Sequence, residues 1–98
     1  MAIPAGYKSI LDSLTTAVLV LRDGLRIQYL NPAAESLFET SVTRSKDAPI
    51  NDILIDSEAA LKTLHAAAEN GQSYTRREAE FILASGLRLT VDYSVSPI

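Results

Sequence analysis

Cysteine is absent from this chain. Its absence removes disulfides, thiolate nucleophiles, cysteine-bound metals and cysteinyl flavin adducts from consideration at once. Histidine occurs once, at His65, and the four glycines form no phosphate-cradling loop. No nucleophile–base pair or metal-ligand cluster stands out in the sequence, so no catalytic residue and no metal are assigned. Long apolar runs are missing as well. None approaches the roughly eighteen residues of a membrane span, and the opening Met-Ala-Ile-Pro lacks the basic and apolar segments of a signal peptide. A cytoplasmic protein with no membrane partner is expected. The nine Lys and Arg residues are scattered and the net charge is −3, a balance that offers nucleic acid no electrostatic footprint. What is present, 98 residues of which 47% are hydrophobic, suffices for one globular domain with a core.

Tyr7, Ile10, Leu11 and Leu14 recur at i, i+3, i+4 and i+7 and predict a short amphipathic helix within residues 1–15, with Lys8, Ser9, Asp12 and Ser13 on its other face. Thr16-Ala17-Val18-Leu19-Val20-Leu21 follows, β-branched and apolar on both faces. Asp23-Gly24 is a two-residue hairpin signal leading into a second strand over residues 25–30. Across a loop of those two residues alone, Val20 faces Ile27 and Val18 faces Tyr29, while Leu19 and Leu21 face Gln28 and Arg26 on the other side. Leu19 and Leu21 then need an outer cover. The stripe of the first helix, from the same chain or a partner's, is the nearest candidate. The second strand runs into Asn31-Pro32 without a loop. Asn31 is a preferred helix N-cap, and Pro32 falls at the first helical position, where its missing N–H costs nothing. Capping alone accounts for Asn31, although its amide has the reach to tie a neighbouring loop as well.

Ala34, Leu37 and Phe38 give the next helix a compact apolar face, which fades at residues 39–41 into a polar segment running through Lys46-Asp47. Residues 49–54 read as a short helical turn between loops. Asp56 or Ser57 is placed to cap the longest helix, Glu58–Asn70, with Gly71 as its left-handed stop and Leu61, Leu64 and Ala68 as its inner stripe. Alternation resumes over residues 74–83, and Ala84-Ser85-Gly86 reads as a hairpin loop. Leu87, Leu89, Val91, Tyr93 and Val95 then alternate with Arg88, Thr90, Asp92 and Ser94. Pairing across that loop sets Leu83 by Leu87, Phe81 by Leu89, Ala79 by Val91 and Arg77 by Tyr93 on the inner side, where Arg77 is the single charge. Glu78 and Glu80 fall on the wet face near Arg76 and Arg88, as solvated cross-strand pairs.

A helix, a strand, an Asp-Gly turn, a strand, an Asn-Pro-Ala-Ala helix start, short helices, a longer helix and a long antiparallel hairpin follow one another, and in this order the chain resembles a PAS domain. More narrowly, Leu14-Thr15-Thr16-Ala17-Val18-Leu19-Val20-Leu21, Ile27-Gln28-Tyr29-Leu30-Asn31-Pro32-Ala33-Ala34-Glu35, Thr75-Arg76-Arg77-Glu78 and Leu89-Thr90-Val91-Asp92-Tyr93 resemble the N-terminal sensory domain of the nitrogen-regulation sensor histidine kinases, the NtrB family. The resemblance implies an α+β fold: an antiparallel sheet with helices on one face over residues 16–98, preceded by the amphipathic helix of residues 1–15. It also implies a five-stranded sheet in the order 2-1-5-4-3, of which four strands are read here. The fifth, central strand is expected to be missing, leaving an open sheet or a place filled by a swapped segment or a partner chain.

The same resemblance implies a cytoplasmic two-component kinase that autophosphorylates a histidine, passes the phosphate to a response regulator and answers to the PII signal protein. The phosphoacceptor histidine and the ATP-binding domain would lie outside this chain. The chain itself is therefore expected to be a non-catalytic sensory and regulatory module of that kinase, controlling nitrogen-responsive transcription. It is expected to form a homodimer through Tyr7, Ile10, Leu11 and Leu14, with Leu19 and Leu21 beneath them. Two ligand hypotheses accompany this reading. Some PAS domains hang haem from a histidine on the long helix, but His65 lies at the margin of the Leu61, Leu64 and Ala68 stripe. A half-exposed structural residue is the better reading, and no cofactor is expected. Arg77, beside Tyr93, offers a planar fork to a carboxylate in the sheet concavity, with Tyr29 and Phe38 as further lining if side chains leave that space open. The competing reading of Arg77 is snorkelling to the rim or pairing with a helix carboxylate. A ligand-sensing PAS domain that binds a small metabolite or cofactor, in another signalling protein, is the alternative function.

Overall fold

Helix α1 (Ala5–Ser13) opens the described chain in the computed structural model, which describes residues 5–55 and 58–97. The expected caps Asp56 and Ser57 lie outside the described residues. The chain divides into two compact units, Met1–Ile50 and Asn51–Ile98.

In the first unit, β1 (Leu19–Arg22) and β2 (Arg26–Leu30) form an antiparallel hairpin. Its register differs from the expected one. Asp23, Gly24 and Leu25 all belong to the turn, with left-handed φ values of 77° at Gly24 and 55° at Leu25. Leu21 therefore pairs with Ile27 rather than Arg26. An irregularity at Gln28 then brings Val20 opposite Tyr29 and Leu19 opposite Leu30. The cause lies on the far edge of β2. Ile27 N–H donates to the Ala48 carbonyl at 2.8 Å, Asp47 N–H to the Ile27 carbonyl at 2.7 Å, and Ile50 N–H to the Leu25 carbonyl at 2.9 Å. This second set of partners holds residues 25–27 in place. The covering loop is clamped in turn, as Arg22 Nη2 lies 3.0 Å from Asp47 Oδ1 and Arg26 Nη1 donates to the Asp47 carbonyl at 2.7 Å.

Helix α2 (Pro32–Phe38) leaves β2 directly, buries Ala34 and Phe38, and stops at Glu39, whose φ of 55° is left-handed. Part of the expected polar segment is in fact a short helix, α3 (Val42–Ser45). Ser41 Oγ accepts the Arg44 N–H, and the Glu35 carboxylate accepts the Val42 N–H at 2.7 Å. Two side chains thus satisfy amides that a helix start leaves without partners. Ile27, Tyr29, Leu30, Ala34, Phe38 and Ile50 make the core of this unit.

After a 3₁₀ turn at Ile50–Asp52, where a helical turn is predicted, Leu54–Ile55 forms an additional strand, β3. It pairs with Leu83 and Ile82 of β4 (Tyr74–Leu83), and β4 pairs with β5 (Arg88–Val95). The described strands therefore number five, not four, and lie in two sheets, β1-β2 and β3-β4-β5. The extra strand is a two-residue edge piece, too short to show alternation in a sequence. Among the described residues, β1 is paired only by β2, and β5 only by β4. Helix α4 (Glu58–Asn70) ends at Gly71, with φ 66°. It buries Ala60, Thr63 and Ala67, whereas Leu61 and Leu64 are half-buried and Ala68 is exposed. The inner face is thus turned by one residue from the expected stripe, and it presents small side chains that permit close backbone approach. Ile53, Leu54, Phe81 and Leu83 complete this second core.

Ile27 is 0% exposed and Leu87 is 47% exposed. Urea denaturation should register a loss of about 2–4 kcal/mol for Ile27→Ala and under about 0.5 kcal/mol for Leu87→Ala.

Candidate functional site

Three features carry the residues singled out in the sequence. The first is the strand–helix corner at Asn31. Its backbone is extended, at φ −76° and ψ 166°, and its side chain accepts the Ala34 N–H as an N-cap should. The carboxamide does more than cap. Asn31 Oδ1 also accepts the Val18 N–H at 2.8 Å, and Nδ2 donates to the carbonyls of Leu11 at 3.0 Å and Thr16 at 2.9 Å.

The second feature is α1. Within the chain its apolar stripe covers less than expected: Tyr7, Ile10 and Leu14 are 64%, 59% and 42% exposed. Leu11 is half-buried. Lys8 Nζ sits 5.7 Å from the centroid of the Tyr29 ring, a cation–π contact, and pairs with Asp12 at 3.3 Å. Leu19 and Leu21 are half-buried, so part of their surface stays open.

The third feature is a cleft in the second unit, about 160 Å³ in volume, bordered by Ala60 and Thr63 of α4, Arg76, Arg77 and Phe81 of β4, and Tyr93 of β5. Its floor is aromatic, with the Phe81 and Tyr93 rings 5.2 Å apart and tilted by 43°. The expected pairing of Arg77 with Tyr93 does not occur. A bulge after Arg76 makes Arg76 the partner of Tyr93, and Glu78 takes a left-handed φ of 53°. The Asp92 carboxylate accepts the Glu78 N–H at 2.9 Å. Phe81 still pairs with Leu89, and Ala79 with Val91. Arg77 is exposed at the cleft, and its guanidinium makes no hydrogen bond or ion pair among the described residues. Glu80 also borders the cleft, and its carboxylate pairs across the strands with Arg88 at 2.9 Å, as expected of the wet face. Tyr29 and Phe38, each 7% exposed, are core residues of the first unit. His65 is exposed and does not border the cleft.

A family model described as a PAS domain matches residues 7–75. The chain belongs to the PAS domain family. This PAS domain is similar to the sensory histidine kinase/phosphatase NtrB of Vibrio alginolyticus, 37% identical over 90 residues that make up 92% of this chain and 25% of that protein. It is also similar to NtrB of Escherichia coli O157:H7, 30% identical over 74 residues, 76% of this chain and 21% of that protein. The chain thus spans about a quarter of the length of these curated relatives. Among solved structures, the PAS domain of nitrogen regulation protein NR(II) from Vibrio parahaemolyticus matches with a TM-score of 0.83 and 35% identity, over 97% of this chain and 86% of that one. A PAS domain from Colwellia psychrerythraea, 21% identical with a TM-score of 0.79 over 95% of this chain and 80% of that one, shares the fold.

Some residues of this PAS domain gain a part that sequence reading did not assign. Lys8 reads as a solvent-facing charge yet lies over Tyr29. Its i, i+4 spacing to Asp12 is the one signal that would have singled it out. Thr63 is buried and borders the cleft, and its hydroxyl donates back to the Ala59 carbonyl at 3.1 Å. A lone threonine in an alanine-rich helix gives that away only weakly.

Proposed function

We propose that this PAS domain is the sensory, regulatory and dimerising module of a cytoplasmic two-component histidine kinase that governs nitrogen-responsive transcription. The observation that carries the proposal is the similarity to NtrB along 92% of the chain, supported by the likeness to the NR(II) PAS domain. On this reading the kinase domain belongs to the same protein, and the PII signal protein and a response regulator are partners of the whole. The module itself performs no chemistry and works without a resident cofactor. An exposed His65 outside the cleft supports that choice over haem.

Homodimerisation is proposed through α1. Tyr7 and Ile10 on the helix, and Leu14 just past its end, remain open to solvent. Full burial of each is worth about 1.5–3 kcal/mol, and a two-fold axis would let one ridge meet its own copy. Sedimentation equilibrium should show a dimer that Ile10→Asp weakens at least about tenfold. Because Ile10 is exposed, the melting temperature should change little. A monomeric parent chain, or a variant that dimerises equally well, would overturn the proposal.

A second reading is favoured by Arg77, which has no hydrogen bond or ion pair among the described residues and borders the same cleft as Phe81 and Tyr93: a small carboxylate-bearing metabolite in the cleft, with Arg77 as its fork. Native mass spectrometry of the purified chain should then reveal a stoichiometric small molecule that is absent from Arg77→Gln. A ligand-free spectrum would remove this reading and leave the first intact.

A further inference from the structure

Asn31 uses more hydrogen-bonding capacity than a helix cap requires. Its residue is 0% exposed. Oδ1 accepts from Ala34 and Val18 at 2.9 and 2.8 Å, while Nδ2 donates to the carbonyls of Leu11 and Thr16 at 3.0 and 2.9 Å. These four partners saturate a carboxamide. They also fix its orientation, since a flipped amide would set donor against donor and acceptor against acceptor.

The two ends of the group serve different parts of the unit. The oxygen joins the first turn of α2 to the segment entering β1. The nitrogen reaches back to α1 and to the connection that follows it. Helix α1 has few other attachments. Of its residues with described side chains, Leu11 and Asp12 alone are half-buried, and the rest are exposed. Lys8 contributes its contact with Tyr29. Leu11 also accepts the Leu14 N–H, at 3.2 Å, so the carbonyl that Nδ2 grips is the one that closes the end of the helix.

We infer that the Asn31 carboxamide is a two-ended latch: its oxygen organises the strand–helix corner and its nitrogen docks α1, so that α1 can release while the corner stays folded. This inference concerns how the exposed ridge of α1 is held, and it stands independently of the kinase assignment. A helix tied to a buried group by one hydrogen bond, at Leu11, with a second to the connection that follows it, at Thr16, can be shifted as a unit without unfolding the strands behind it.

The direct test is Asn31→Asp in the 98-residue chain, which keeps an acceptor for Ala34 and Val18 and replaces the donor with an oxygen facing two carbonyls. Amide hydrogen exchange should speed up at Leu11 and Leu14 by about tenfold or more. Ile27 and Phe38 should change by less than about threefold. An equal acceleration in both regions, or none at Leu11 and Leu14, would overturn the latch. If the variant does not fold, the unmodified chain still decides. The side-chain amide protons of Asn31 should exchange together with those of Leu11 and Leu14, and exchange in step with Phe38 instead would overturn the inference.

Discussion

The buried carboxamide of Asn31 is the constraint on which the arrangement of the first unit depends. A strand that becomes a helix without a loop leaves the first helical amides unpaired and turns the chain sharply. Pro32 removes one of those amides, and Asn31 Oδ1 satisfies that of Ala34. The backbone of the same residue is fully used, its N–H donating to the Val18 carbonyl at 3.1 Å and its carbonyl accepting from Glu35 at 2.9 Å. One buried residue therefore joins α1, the entry to β1, the end of β2 and the start of α2. Burying so polar a group is tolerable only because every donor and acceptor is matched, and leaving one unmatched costs about 1–3 kcal/mol.

The second unit solves a different problem, that of a long hairpin with charge on one side. The bulge at Arg77 and Glu78 adds a residue to β4, and a left-handed non-glycine residue there costs about 1–2 kcal/mol. The hydrogen bond from Glu78 N–H to the Asp92 carboxylate offsets part of that cost. The bulge moves Arg77 out of cross-strand pairing, and the residue borders the same cleft as Phe81 and Tyr93. Bulges commonly re-aim side chains in this way.

Much of this was legible in the sequence because short-range chemistry decides it. The Asp23-Gly24 turn, the Asn31-Pro32 helix start, the stop at Gly71 and the alternation along β5 all appear where residue type places them. The features that escaped depend on contacts distant in sequence. Leu25 joins the first turn because its carbonyl accepts from Ile50, which no local pattern reveals. The bulge at Glu78 has no glycine to mark it, and it is held by Asp92, fourteen positions away. In α4, alanines on several faces blur the periodicity, so Ala60, Thr63 and Ala67 face inward where Leu61, Leu64 and Ala68 were expected. The capping role of Asn31 could be read from its neighbours, but its grip on α1 could not, because the Leu11 carbonyl lies twenty positions earlier.

Helix α1, tied to the corner through the Asn31 amide, carries exposed Tyr7 and Ile10, with exposed Leu14 just past its end, and these are the residues through which homodimerisation is proposed. The chain's lack of cysteine allows one label site to be introduced cleanly. Electron dipolar spectroscopy on Ser9→Cys, carrying a nitroxide on the exposed side of α1, measures the proposed helix-to-helix contact directly. Two α1 helices packed at about 8–10 Å with labels on their flanks predict a single interchain distance of roughly 15–30 Å. The absence of interchain coupling, or coupling only at longer separations, would contradict an interface built on α1.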